Sequence, residues 1–256
     1  MTRQTPAIKI AIEQLNYYYS EKQALFDINL RFPANQISIL FGPSQSGKST
    51  LLRLFNRLND MIDNVRLEGK ILLDGEDIYG PGTDAVTLRR RVGMVFAMPI
   101  PLPLSIRENV LYGPKLAGVR AQKRLDELLE SSLKSAAIWD EVKDRLDDPA
   151  HALSGGQQQR LCLARVLSLE PDVILLDNPT SGLDPLSTAK VEESLRQLKV
   201  NYSIIMVPHS IQQAARIADY AAFVLDGKLI EAGAGASLFT RPEHPQTEAY
   251  VTGRFG

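Results

Sequence analysis

The chain has 256 residues, 23% of them charged, a formal net charge of −1 and a single cysteine. That length supports one large domain, or a domain with a subdomain, around a substantial core. The even charge balance excludes a strongly basic nucleic-acid-binding surface, and one cysteine excludes an internal disulfide. Cys162 lies in an apolar helical run, 161–167, and reads as a packing residue; Arg89-Arg90-Arg91 reads as a solvated face. The opening Met1-Thr2-Arg3-Gln4-Thr5-Pro6 lacks the apolar core of a signal peptide. No window approaches the ~18 uninterrupted apolar residues of a membrane span. The chain is therefore expected to be soluble by itself and to meet a membrane only through a partner.

Residues 8–12 and 24–32 alternate in hydropathy and predict two N-terminal strands around a polar turn. Between them stand Tyr17, Tyr18 and Tyr19, which read either as strand residues covered on both faces or as an aromatic surface offered to a purine base. The apolar run 37–41 predicts a buried strand. It leads into Gly42-Pro43-Ser44-Gln45-Ser46-Gly47-Lys48-Ser49-Thr50, which fits G-x-x-x-x-G-K-[ST] at every required position. Apolar residues recur at helical spacing directly afterwards, completing the strand–loop–helix context that the motif needs. Gly42 and Gly47 allow backbone angles that turn successive N–H groups toward one anion, and the helix that follows adds its positive end. Lys48 is expected to reach the β- and γ-phosphates and Ser49 to ligate Mg²⁺. This loop predicts binding of a nucleoside triphosphate.

Downstream, 60–69 reads as a polar connection and 70–78 as a strand ending in an Asp-Gly turn. Residues 92–96 read as a further strand. In 98–104 three alternating prolines exclude helix and sheet interior, predicting a stiff surface segment. Ser105-Ile106-Arg107-Glu108 has capping-box spacing, and 121–137 carries leucines at helical spacing. Strands resume at 173–176, 203–207 and 221–225, separated by helical runs near 187–199 and 210–218. The alternation predicts an α/β fold with a mainly parallel sheet and helices on both faces.

Two further features carry chemistry. The apolar strand 173–176 ends in Asp177, placed to hold Mg²⁺ or its water in a protein with a phosphate loop. Leu153-Ser154-Gly155-Gly156-Gln157 opens a helix, giving a second set of N–H groups at a helix N-terminus. It reads either as a capped helix start or as an anion site facing the γ-phosphate held by another subunit.

With these residues the chain resembles the nucleotide-binding subunits of ABC transporters, whose signature is Leu-Ser-Gly-Gly-Gln, over essentially its full length. The resemblance implies a P-loop NTPase of ABC type: a nucleotide-binding core from 8–97 and 166–234, an inserted helical subdomain with permease-facing segment and signature at 98–165, and a tail at 235–256. It implies ATP and Mg²⁺ as ligands and a head-to-tail homodimer sandwiching two ATPs. Tyr19 would stack on adenine, Ser154, Gly155, Gly156 and Gln157 would meet ATP held by the partner subunit, and His209 would contact the γ-phosphate. Ser181, Gly182, Leu183 and Asp184 would communicate across the dimer. A narrower resemblance, to the ATP-binding subunits of bacterial phosphate importers, rests on 55–60, 99–106, 108–113, 139–146, 212–216 and 250–256. It implies two transmembrane permease subunits, a phosphate-binding protein, no nucleic acid, and a place on the cytoplasmic face of the cell membrane.

Two positions depart from the family pattern. Asn178 stands where the family has a glutamate that polarises the attacking water; a carboxamide holds a water but does not take its proton. Ala97 stands where the family has a glutamine that approaches Mg²⁺ and senses the permease. Loss of a general base costs ~10²–10⁴ in rate, about 3–5 kcal/mol of barrier. The expectation is a chain that binds MgATP and dimerises but hydrolyses slowly. A hydrolysis-poor, ATP-gated clamp subunit is the alternative, and a soluble DNA-repair or translation protein is disfavoured by the lack of a basic arm.

Overall fold

A computed structural model describes residues 7–254; the reading of the N-terminus as free of a signal peptide falls on 1–6, outside the described residues. Two long strands open the chain, β1 (Ile8–Tyr19) and β2 (Lys22–Pro33), paired antiparallel around a turn at 20–21. After β3 (Ile37–Phe41) come α1 (Lys48–Leu54), β4 (Val65–Leu73), the short β5 (Glu76–Asp77), α2 (Ala85–Arg91) and β6 (Val92–Val95). A helical stretch follows: α3 (Ile106–Leu116), α4 (Gln122–Ser135), α5 (Trp139–Val142) and α6 (Gly155–Leu167). The chain closes with β7 (Val173–Asp177), α7 (Pro185–Leu198), β8 (Ser203–Val207), α8 (Ile211–Ile217), β9 (Tyr220–Leu225), β10 (Lys228–Ala234), α9 (Gly235–Thr240) and α10 (Pro245–Val251).

The strands form two sheets. One is antiparallel, in the order β2-β1-β4-β5; the other has the order β10-β9-β3-β8-β7-β6. In the second, β9, β3, β8, β7 and β6 run parallel, and β10 returns antiparallel on the edge. β3, β7 and β8 are buried at every residue, which is why their sequences are unbroken apolar runs rather than alternations. Two cores flank the parallel sheet. One, from Ile10 to Val224, lies between the sheets around α1; the other joins Ile37, Phe41 and Leu176 to the helical stretch through Ile106, Leu133 and Leu161.

Three stretches of the chain differ from the sequence reading. The connection at 60–69 becomes strand from Val65, because β1 extends to Tyr19 and supplies it with a partner. Residues 85–91 form a helix, capped by Asp84 accepting from Val86 N and Thr87 N. α9 and α10 occupy what the sequence offered only as a tail, and β10, which the sequence reading did not offer as a strand, closes the core before them.

Candidate nucleotide site

The parallel sheet orders β3, β8, β7 and β6 side by side. Residues 42–50, 208–210, 178–184 and 97 follow these four strands directly, so all lie along the carboxyl edge of the sheet. That edge is where open α/β sheets bind ligands. Four sequence signals up to about 160 residues apart are thereby neighbours.

The loop after β3 takes a shape that its glycines require. Gly42 has φ 145°, and a Cβ there would lie 2.0 Å from the Val224 carbonyl oxygen of the neighbouring strand. Gly47, at φ 92°, caps α1, and a Cβ would meet Leu25 at 2.8 Å. Gln45 also has positive φ, at 63°. Ser46 Oγ donates to the Pro43 carbonyl at 2.8 Å, and the Lys48 ammonium turns back over the loop toward the same oxygen and Ser46 Oγ. Burial pushes the Lys48 pKa down, and Asp177 opposes that shift.

Ser49 Oγ donates to Asp177 Oδ1 at 2.9 Å, joining the end of β7 to the start of α1. Asp177 is almost fully buried, with Arg53 Nη2 at 3.5 Å from its other oxygen. A hydroxyl beside one carboxylate fits Mg²⁺, which keeps several waters and takes its remaining oxygens from phosphates. Among the described residues no group of three His, Cys, Asp or Glu side chains could hold a metal by protein ligands alone. Bound there by Ser49 and Asp177, the ion would neutralise charge on the β- and γ-phosphate oxygens.

A cleft of about 530 Å³ lies on one side of Lys48 and Ser49, walled by Tyr19, Lys22, Phe26 and Gly227. All three tyrosines are strand residues. Tyr17 is buried in the core, the Tyr18 ring lies under Arg66, and Tyr19 packs edge-on against Tyr17 with its hydroxyl 3.1 Å from Thr50 Oγ1. Alternation along β1 thus places Tyr19 at the cleft and Tyr18 on the opposite face. On the other side of Lys48, a second cleft of about 330 Å³ is lined by Ser44, Asn178, His209 and Tyr250. Tyr250 escaped the sequence reading as a site residue. It arrives from α10, its ring stacked on Phe223 at 5.1 Å, and only tertiary packing brings it there.

Asn178 sits in the left-handed region, φ 49°, with its N–H donating to Val207 O at 2.9 Å and its Nδ2 3.3 Å from Asp177 Oδ1. Asparagine accepts this conformation more readily than most residues. Ala97 follows the exposed Phe96, whose carbonyl accepts from Gln159 Nε2 at 2.9 Å. The 97 position is thus tied to the helix of the Ser154-Gly155-Gly156-Gln157 motif.

That motif forms a complete capping box: Ser154 Oγ accepts from Gln157 N, and Gln157 Oε1 accepts from Ser154 N. Ser154 and Gly155 are exposed. Behind them Glu141 receives Arg160 bidentately at 2.8 and 3.0 Å, Lys190 Nζ at 2.6 Å and Gln157 Nε2 at 3.0 Å. The Arg160 hydrogen bonds, with Lys190 and Gln157, pull the Glu141 pKa down to about 2 against the opposing effect of burial. Glu141 lies inside the 139–146 stretch, whose composition gave it no role of its own. Asp184 caps α7, accepting from Leu186 N and Ser187 N at 3.0 Å.

The proline segment is pinned from behind. Asn109 Oδ1 accepts from Leu102 N at 2.8 Å, Asn109 Nδ2 donates to Leu102 O at 3.1 Å, and Arg165 donates to Ile100 O at 3.1 Å. Met98 (73% exposed) and Ile100 (63%) face outward, as do Tyr112 and Leu116 of α3. No helix among the described residues is long and apolar enough to cross a membrane.

The sequence and the fold have close counterparts. Residues 25–181 match the family model for ABC transporters. The phosphate import ATP-binding protein PstB 1 of Vibrio parahaemolyticus serotype O3:K6 is 53% identical over 247 residues, 96% of this chain and 91% of that protein. Among solved structures, cbiO1 from Clostridium perfringens, part of the ABC transporter complex cbiONQ, aligns at TM-score 0.81 and 28% identity over 92% of each chain. A bacterial Atm1-family ABC exporter with ATP bound aligns at TM-score 0.79 and 24% identity, over 98% of this chain and 43% of that one, a likeness of fold alone. With the family model spanning more than half of the sequence and the Vibrio relative nearly all of it, this chain belongs to the ABC transporter family as one of its ATP-binding domains.

Proposed function

We propose that the chain is the ATP-hydrolysing subunit of an importer for inorganic phosphate, working as a head-to-tail homodimer beneath two permease subunits served by a phosphate-binding protein. The observation that carries ATP chemistry is the convergence of Lys48, Ser49, Asp177 and His209 at one sheet edge. The choice of phosphate rests on the 53% identity to a phosphate import ATP-binding protein. In this reading Tyr19 stacks on adenine, residues 42–50 cradle the phosphates, and Ser49 and Asp177 hold Mg²⁺. His209 meets the γ-phosphate. Ser154, Gly155, Gly156 and Gln157 complete the partner subunit's site, and 181–184 relays between the two. Residues 8–97 and 166–234 form the nucleotide-binding core, 98–165 the helical subdomain, and 235–256 its tail. Outward-facing Met98, Ile100, Tyr112 and Leu116 give a permease an apolar seat at the cytoplasmic face of the membrane.

The chemical step is where this chain is weakest. Lys48 and the loop amides bind and orient the phosphates, and Asn178 holds the attacking water without accepting its proton. The residues therefore favour binding over turnover. Expression in cells lacking their own phosphate-importer ATPase tests the proposal. ATP-dependent uptake of radiolabelled phosphate should return slowly with the native chain, faster with Asn178→Glu/Ala97→Gln, and be lost with Lys48→Ala or with Met98→Asp/Ile100→Asp. Restored growth on another solute with no phosphate uptake would overturn the substrate assignment.

A further inference from the structure

The stretch Gln212-Gln213-Ala214-Ala215-Arg216 carries a feature that nucleotide binding does not use. Gln213, on α8, is a polar side chain only 2% exposed, and every polar atom of its amide is engaged. Oε1 accepts from His209 N at 3.1 Å. Nε2 donates to Thr180 Oγ1 at 3.0 Å and to Glu192 Oε1 at 3.1 Å. Glu192, itself buried on α7, is held by Arg216 Nη2 at 2.6 Å.

The chemistry of these partners admits little else at 213. A backbone N–H only donates, and a carboxylate only accepts. The side chain between them must therefore accept on one side and donate on the other, which an amide does and a carboxylate does not. A glutamate at 213 would face Glu192, and a leucine would leave His209 N and the Glu192 carboxylate without their buried partner. Asparagine is one methylene shorter from the same backbone.

The location gives this amide a consequence. His209 stands on the loop after β8, in the cleft with Lys48 and Ser44. Thr180 stands on the loop after β7, between Asn178 and the 181–184 segment. The two strand ends are already tied by Asn178 N donating to Val207 O at 2.9 Å. Gln213 adds a second tie two residues further out on each loop and anchors it to α7. We propose that Gln213 is a positioning residue that locks the His209 loop to the 178–184 loop, so that contact of His209 with a γ-phosphate is passed to Thr180 and onward to 181–184. The inference rests on the reading of His209 as the γ-phosphate contact.

The test compares binding of MgADP and the slowly hydrolysed MgATPγS to the full chain, native and Gln213→Leu, by calorimetry, with melting temperatures alongside. A residue that acts through His209 affects only the nucleotide with a γ-phosphate. Gln213→Leu should reduce the preference for MgATPγS over MgADP about tenfold while leaving MgADP affinity within about twofold. Thr180→Val, which removes one hydroxyl, should raise hydrogen exchange in both 178–184 and 207–213, and the double variant should bind no worse than Gln213→Leu alone, as expected of one coupled unit. A lowered melting temperature with an unchanged preference would mean that Gln213 only fills the core, and would overturn the inference. If Gln213→Leu does not fold, Thr180→Val decides alone: exchange raised in its own loop but not in 207–213 overturns the tie. A native chain that binds both nucleotides equally would overturn the role of His209 itself, and the inference with it.

Discussion

Replacing Asn178 by glutamate sets two calculable effects against each other. The side chain at 178 sits 3.3 Å from Asp177 through its amide and at φ 49°. Glutamate removes that hydrogen bond, worth about 1 kcal/mol, adds a like charge beside Asp177, and occupies the left-handed region at a penalty of about 1 kcal/mol. The variant should therefore be less stable by at least about 2 kcal/mol, a fall in Tm of roughly 4–8 °C or more for a chain of this size. Against this, a carboxylate on the water supplies the missing general base, worth ~10²–10⁴ in rate, or about 3–5 kcal/mol of barrier. Phosphate release under saturating MgATP should rise by that factor in Asn178→Glu, and further in Asn178→Glu/Ala97→Gln when permease is present, while the melting curve moves down. The trade is the usual one between a strained, functional residue and a relaxed one. A native chain turning over at about 1 s⁻¹ or faster, within the ordinary enzyme range, would refute the reasoning. So would an Asn178→Glu variant that binds MgATP normally with no gain in turnover.

Two further predictions follow from the signature helix. Glu141, pulled from 4.5 to about 2, binds its proton more weakly folded than unfolded. Its contribution is present above about pH 4.5 and is lost as pH falls toward 2; a shift of that size corresponds to about 3 kcal/mol. Glu141→Gln should cost up to that much in denaturant unfolding at pH 7 and nothing near pH 2, and an equal cost at both would refute the ion-pair account. Gly155 and Gly156 should separate: a Cβ at Gly156 would meet Ser187 Oγ at 2.5 Å, whereas one at Gly155 meets nothing within 4 Å. Gly156→Ala should lose about 1–3 kcal/mol of stability. Gly155→Ala should melt as the native chain does but form less MgATP-dependent dimer in light scattering, and unimpaired dimer would count against a partner-facing role.

The nucleotide loop was legible from its residues because backbone geometry at a helix start depends on neighbours in sequence: glycines where φ is positive, a lysine and a serine one and two places on. The buried strands were legible for a related reason, since burial on both faces leaves only apolar side chains. Burial could not say where Val65 would find a partner, because pairing with β1 is a contact across some fifty residues. The sequence named Asp177 only by pairing a strand-ending carboxylate with the phosphate loop, and His209 and Ala97 only through a family pattern; no local rule distinguishes a strand-ending aspartate that bonds Ser49 from one that faces water. Strand order did that, by setting β8 and β7 beside β3 so that their ends share one edge. Glu141, Tyr250 and Gln213 were illegible for the same reason. Each is an ordinary polar or aromatic residue on a short helix, and its role comes from partners that lie between 16 and 49 residues away for Glu141, 27 for the Tyr250 stack and 33 for the Gln213 tie. Composition and spacing decided that this chain builds a phosphate cradle; packing at long range decided which side chains surround it.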